Sequence, residues 1–168
     1  MALSLAALPR TTLVRDLVIL AVVALLWWCD ARGLGGAGVS IAAGLSVAVA
    51  AFLLHEWGHL VGALAVGSHV YLPNRVLAPL LFHFDTERND RRQFLWMSCA
   101  GYVTSALGPA VIAALAPLDR LSGRVALGVA VVALIGTLVA EAPMTLRVLR
   151  GEPLPKGHAF SVPAPPPS

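Results

Sequence analysis

The sequence predicts an all-α polytopic membrane protein with about four transmembrane helices and a small membrane-associated loop or β-hairpin between the second and third. Three observations predict this class. Hydrophobic residues make up 58% of the chain and charged residues 12%, against roughly 45–50% and about 25% in soluble domains. The apolar residues form four runs near the length of about 20 residues that a bilayer crossing requires. A long loop containing Pro73 and Pro79 separates the second run from the third, and proline excludes a regular helix there.

The four apolar runs define the expected spans. They cover residues 12–29, a part of 33–68, 94–118 and 125–146. Each must be helical, because lipid offers backbone N–H and C=O groups no other partner. We expect Trp27 and Trp28 to anchor the first span at the interface, and the Gly-rich start of the second run to be a loop. The first run is followed by no small-x-small cleavage site, so it is expected to be a retained anchor.

The distribution of Lys and Arg predicts the orientation. With a cytoplasmic N-terminus, nine of the 12 basic residues lie on the cytoplasmic side, the side on which they are enriched in membrane proteins. Both termini are therefore expected to be cytoplasmic. Residues 1–150 are expected to form a single transmembrane domain, and residues 151–168 a Pro-rich, disordered cytoplasmic tail. The charges form no basic face, so nucleic acid is not an expected partner.

The second run contains an H-E-x-x-H sequence, His55-Glu56-Trp57-Gly58-His59. Residues i and i+4 share one face of a helix, so both imidazoles can bind one Zn²⁺, with Glu56 as the general base beside a zinc-bound water. Chance would produce this motif in about one chain in a hundred of this length. A Glu within lipid is by default a functional residue, and a divalent cation is the simplest partner for the three ionisable groups. Trp57 is expected to point away from the metal.

The third ligand is predicted from depth, since a catalytic zinc takes three protein ligands and keeps one position open. Glu141 lies about as far from the cytoplasmic end of its span as the two histidines lie from the end of theirs. Asp119 lies at the opposite surface and is excluded. The alternative for Glu141 is a neutral or hydrogen-bonded carboxyl between helices. His83 and Asp85 are the reserve ligands if the loop folds back into the site.

Further polar residues fall on the helix faces expected to surround the metal. Tyr102 and Ser105 on the third helix can hydrogen-bond a bound peptide or orient a ligand, and Thr137 shares a face of the fourth helix with Glu141. Hydrogen bonding between helices, in which Ser and Thr are common, is the alternative role. We expect close helix approach at three glycines: Gly58, Gly62 and Gly101.

Two segments resemble the site-2 protease family of intramembrane zinc metallopeptidases. One is the zinc motif at 55–59. The other is Ala100-Gly101-Tyr102-Val103-Thr104-Ser105, which resembles that family's A-G-P-x-x-N segment with Tyr102 in place of Pro and Ser105 in place of Asn. The loop containing Phe82-His83-Phe84 resembles the family's membrane-associated β-hairpin. The family usually supplies an Asp from an L-D-G segment as third ligand. This chain has no Asp-Gly pair, and Glu141 occupies a comparable place.

The resemblance implies an intramembrane zinc metalloprotease that hydrolyses a peptide bond in or near a transmembrane segment of a membrane protein, with Glu56 activating the water. It implies Zn²⁺ as cofactor, a membrane protein or peptide as substrate, and the bacterial inner membrane as location. The alternative is a catalytically inactive protein, with or without zinc, that binds or escorts other membrane proteins. The absent Asp-Gly pair favours this alternative. A transporter is less favoured, because its ionisable groups would lie along a path through the bilayer.

Overall fold

Four long helices and one short hairpin make up the computed structural model, which describes residues 10–72 and 81–156. The elements are α1 (Arg10–Ala31), α2 (Gly36–Ala65), β1 (Val70–Tyr71), β2 (His83–Phe84), α3 (Arg91–Leu115) and α4 (Leu121–Leu149). All four helices are long and apolar enough to cross a membrane, and the two strands pair antiparallel. The predicted fold class is therefore confirmed. Pro73, Pro79, Leu80 and the tail beyond residue 156 lie outside the described residues.

Helices α1 and α4 extend beyond their predicted spans at both ends, α3 begins and ends three residues earlier than predicted, and α2 starts within the Gly-rich segment. That helix begins at Gly36, so the expected Gly-rich loop is shorter than predicted and Gly38 is helical. The turn before it depends on glycine, because Gly33 and Gly35 have φ values of 70° and 82°, a region that residues with a Cβ rarely adopt. Glycine is common inside transmembrane helices, which is why the pattern did not mark the helix start.

Helix α2 is the central element and packs against α1, α3 and α4. Two of its glycines permit a close approach to α3. A Cβ at Gly58 would lie 2.1 Å from Oγ1 of Thr104, and a Cβ at Gly62 would lie 2.5 Å from Cβ of Ala100. Small residues at such crossings let membrane helices pack tightly. The H-E-x-x-H segment of α2 is therefore held close to α3.

The largest buried cluster lies beneath the hairpin. Phe84 of β2 is buried against Phe94 of α3, with ring centroids 6.0 Å apart and a near-perpendicular arrangement that aromatic pairs favour. Asp85 is also buried, and it accepts hydrogen bonds from the Tyr71 hydroxyl and from the backbone amides of Glu87 and Arg88. These contacts fix the hairpin to the adjoining ends of the helices. The cluster comprises Leu60, Ala63, Val70, Leu81, Phe82, Phe84, Phe94, Met97 and Val148.

Two carboxylates of α1 connect this helix to the others. Asp30 accepts hydrogen bonds from Ser40 of α2 and, at 2.7 Å, from Ser122 of α4. Asp16 accepts one at 2.9 Å from Nε1 of Trp57. Polar groups within apolar spans normally find such partners, since an unpaired one is costly there. The hydrogen bonds from Ser40 and Trp57 therefore hold α2 to both ends of α1.

Candidate metal centre

Three side chains from α2 and α4 converge between the helices. Nε2 of His55 lies 2.9 Å from Oε1 of Glu141, and Nε2 of His59 lies 3.2 Å from Oε2 of the same carboxylate. The two Nε2 atoms are 3.1 Å apart. The two histidines are buried, whereas 27% of the Glu141 side chain is exposed. One carboxylate therefore spans two imidazoles that are one helical turn apart.

The spacing of the three side chains fits a single small cation. Their candidate ligand atoms all lie within 4.8 Å of one another. A tetrahedral ion with ligands at about 2.0–2.1 Å separates neighbouring ligand atoms by roughly 3.3–3.4 Å. The three distances of 2.9, 3.1 and 3.2 Å are only slightly shorter. His55, His59 and Glu141 can thus hold one metal ion with little displacement.

Hydrogen bonds on the far side of each ring indicate which nitrogen faces the centre. Nδ1 of His59 lies 3.0 Å from the carbonyl oxygen of Met97, and Nδ1 of His55 lies 3.4 Å from that of Gly101 and 2.8 Å from Oγ of Ser105. A carbonyl only accepts, so a neutral ring in this position carries its proton on Nδ1. Both Nε2 lone pairs then face the Glu141 carboxylate, and a cation between them removes the repulsion. Metal-binding histidines commonly show this outer arrangement.

Helix α3 passes close to the His59 imidazole at Gly101. A Cβ at this position would lie 2.2 Å from Cε1 of His59, so the hydrogen atom of glycine is what leaves space for the ring. The same helix contributes the carbonyl of Met97 and the hydroxyl of Ser105 to the two histidines. Helix α3 thus sets the orientation of both rings although it supplies none of the three converging side chains.

The Glu56 carboxylate contacts the hairpin segment. It is buried, and its Oε2 atom accepts a hydrogen bond of 3.0 Å from the backbone amide of Leu81. Leu81 lies two residues before β2 and belongs to the buried cluster beneath the hairpin. The residue predicted as general base is therefore in contact with the loop that the sequence places beside the site.

The other predicted site residues have different positions. Ser105 contacts His55, whereas the Tyr102 hydroxyl lies 2.7 Å from Oγ1 of Thr145 and links α3 to α4. Thr137 lines a small cavity together with His55 and Ser105. The reserve ligands stay in the hairpin region, where His83 pairs with Tyr71 and Asp85 is occupied as described above. Within residues 10–72 and 81–156, neither joins a metal-binding group.

Sequence reasoning missed several residues that contact the motif, among them Met97, whose carbonyl oxygen lies 3.0 Å from Nδ1 of His59. Asp16 binds the indole of Trp57, and Leu81 binds Glu56. Asp16 carried a usable signal, because an acidic residue within an apolar span is expected to have a specific partner. Leu81 carried none, since any residue in the loop offers the same backbone amide.

Comparison of the chain with protein-family models, with curated proteins and with solved structures found no match.

Proposed function

We propose that this protein is an intramembrane zinc metalloprotease that hydrolyses a peptide bond in or near a transmembrane segment of a membrane protein. One observation carries the proposal. Two imidazole Nε2 atoms and one carboxylate converge within helices that can cross a membrane, and Glu56, the acidic residue of the H-E-x-x-H sequence, follows His55 in the chain. That donor set, with a nearby Glu, is typical of hydrolytic zinc sites.

Zinc is the metal that the donor set favours. Two imidazoles and one carboxylate suit Zn²⁺, which takes three protein ligands in catalytic sites. Hard cations such as Mg²⁺ and Ca²⁺ prefer oxygen ligands. Of the three converging side chains, only that of Glu141 offers oxygen atoms. The second shell also fits, because each imidazole has a backbone carbonyl near its outer nitrogen that would hold the tautomer needed for binding.

The residues divide the chemistry between them. When bound, Zn²⁺ would supply Lewis acidity to the attacking water and to the scissile carbonyl. His55, His59 and Glu141 would hold the ion. Glu56 takes a proton from the water while the water oxygen bonds to the carbonyl carbon of the substrate. Glu56 then delivers this proton to the amide nitrogen as the C–N bond breaks. A carboxylate within reach of both atoms is well suited to this general acid–base role.

The substrate must present an unwound segment to the site, because the carbonyls of an intact helix are hydrogen-bonded within it. The hairpin is the proposed holder, since an extended peptide can add to the edge of a sheet through backbone hydrogen bonds. Its position supports this role, because the segment leading into β2 reaches Glu56 through the amide of Leu81. Substrate held along this segment would lie next to the proposed base.

The depth of the site points to water entry from the hairpin side. His59 lies six residues and His55 ten residues before the end of α2, which is about 9 and 15 Å along a helix. Glu141 lies eight residues before the end of α4. We propose that this side is cytoplasmic, with both termini there, and that the membrane is a bacterial inner membrane.

The test combines metal analysis with a cleavage assay on protein in lipid nanodiscs. Wild-type protein is expected to bind one zinc and to cleave a transmembrane peptide. Glu56→Gln is expected to keep the zinc and lose cleavage, because only the general base is removed, whereas His59→Ala is expected to lose both. Glu87→Gln makes the same chemical change at an exposed position in the turn between β2 and α3 and serves as the matched control. Full cleavage by Glu56→Gln would refute the mechanism.

A second candidate is favoured by the contact between Glu56 and Leu81. A base held by a backbone amide is also compatible with a catalytically inactive, zinc-binding protein that binds or escorts other membrane proteins. This candidate predicts that the wild type binds zinc but cleaves none of the transmembrane peptides tested. It also predicts that Glu56→Gln leaves binding of those peptides unchanged.

A further inference from the structure

A cavity of about 150 Å³ adjoins His55 on the side away from the hairpin. One wall is polar and consists of His55, Ser105 and Thr137. The remaining wall is apolar and comes from α2 and α4. It consists of Ala48, Ala51, Phe52, Ala130, Ala133 and Leu134. Among the described residues, no Asp, Glu, Lys or Arg lines the cavity, so its chemistry suits a neutral, apolar occupant.

We propose that this cavity is a specificity pocket for an apolar side chain of the substrate, at one of the two positions flanking the cleaved bond. The inference rests on the proposed function and names the substrate residue that the site selects. His55 forms part of the pocket wall and part of the metal-binding group. A side chain that fills the pocket therefore belongs to a residue at or next to the reacting carbonyl.

The volume limits the size of the side chain. A volume of about 150 Å³ is enough for one benzene molecule, so a Leu or Phe side chain fits and an indole is too large. A small side chain such as that of Ala would leave most of the space empty. Each missing methylene in an apolar pocket costs about 10-fold or more in kcat/KM. The pocket therefore favours Leu or Phe over both Ala and Trp.

A second space shows how an apolar residue reaches the pocket from the membrane. A groove of about 480 Å³ lies between α2 and α4, and it shares Ala48 and Ala133 with the pocket. Its other lining residues are Val125, Gly128, Val129 and Val132. Val132 is 69% exposed, so the groove opens toward the lipid. A transmembrane segment in the bilayer can thus place one side chain in the pocket without passing through water.

The first arm of the test measures cleavage of transmembrane peptides that carry Ala, Leu, Phe or Trp at each flanking position. At one position, the wild type is expected to cleave the Leu or Phe peptide at least about 10-fold faster than the Ala and Trp peptides. Ala133→Leu narrows the pocket and is expected to reverse this preference toward Ala. Ala110→Leu adds the same atoms to an exposed face of α3 and should leave the preference unchanged.

The second arm needs no activity. A variant combining Glu56→Gln and Ala133→Cys, with the native thiols removed by Cys29→Ser and Cys99→Ser, is oxidised in the presence of peptides carrying one Cys at successive positions. A disulfide confined to one peptide position supports the pocket, even if the wild type cleaves nothing and the proposed function fails. Cleavage without any residue preference and without a disulfide overturns the pocket and leaves the protease intact. A pocket filled by a lipid acyl chain would give this last result.

Discussion

His55 and Glu141 lie 86 positions apart in the sequence, yet Nε2 of His55 is 2.9 Å from a carboxylate oxygen of Glu141. The other oxygen of the same carboxylate faces His59 at 3.2 Å. Glu141 thus bridges both imidazoles. The contact also connects α2 to α4, so the candidate metal-binding group depends on the packing of these two helices.

Removal of the Glu141 carboxylate is expected to abolish tight zinc binding. Glu141→Gln keeps the shape but loses the charge, and Glu141→Ala loses both oxygens. Residues that merely orient ligands are worth about 10- to 100-fold in metal affinity, so loss of a ligand itself should exceed 100-fold. Competition with a chelator measures this affinity. Unchanged affinity in Glu141→Ala would remove Glu141 from the site.

Gly101→Ala is expected to displace the His59 ring, because the added Cβ would lie 2.2 Å from Cε1. Zinc affinity should fall by about 10-fold or more, as expected when the orientation of a ligand is lost. Gly108→Ala is the matched control on the same helix, where an added Cβ meets nothing within 4 Å. That variant should bind zinc normally and unfold with a free energy about 0.5–1 kcal/mol higher. Equal zinc affinity in both variants would contradict the proposed packing.

Ser105→Ala is expected to weaken zinc binding by about 10- to 100-fold, because the hydroxyl that lies 2.8 Å from Nδ1 of His55 is removed. Ser46→Ala is the control, since the Ser46 hydroxyl bonds only the backbone carbonyl of Ala43 on its own helix. The same chelator titration compares the two. If both variants bind zinc as the wild type does, Ser105 has no orienting role.

Sequence patterns predicted the parts of this structure that depend on local spacing. The i, i+4 interval of His55 and His59 placed both rings on one face, and the depth of Glu141 within its span selected the residue that the structure brings to them. Leu81 and Asp16 could not be paired with Glu56 and Trp57 in this way. Those contacts depend on the rotation of one element about its axis relative to another, which a single sequence does not define.

The Tyr71 hydroxyl offers a pH test of the hairpin. Its hydrogen bond to Asp85, followed by burial and by the negative charge of Asp85, raises the pKa of Tyr71 above its ordinary value of about 10. The bond therefore stabilises the fold below about pH 10 and is lost as the pH rises through the raised pKa. Ultraviolet titration of Tyr102→Phe protein, in which Tyr71 is the remaining tyrosine, measures this pKa. Asp85→Asn should lower it, and an unchanged value would contradict the assigned cause.

Trp57→Phe is expected to destabilise the fold through loss of the hydrogen bond from Nε1 to Asp16. Hydrogen bonds to charged groups contribute about 1.5–3 kcal/mol, and the Asp16 carboxylate is buried. The unfolding free energy of the Trp57→Phe variant should therefore be lower than that of the wild type by about this amount. Trp28→Phe is the matched control, because Trp28 is 51% exposed and substitutions at such positions usually change stability by less than about 0.5 kcal/mol. Denaturant titration in micelles provides the comparison.

A double-mutant cycle tests the pairing of Trp57 with Asp16 directly. The loss of unfolding free energy in the variant that combines Trp57→Phe with Asp16→Leu should be smaller than the sum of the losses in the two single variants, because both changes remove the same hydrogen bond. Simple additivity would show that the two side chains do not interact in the folded protein.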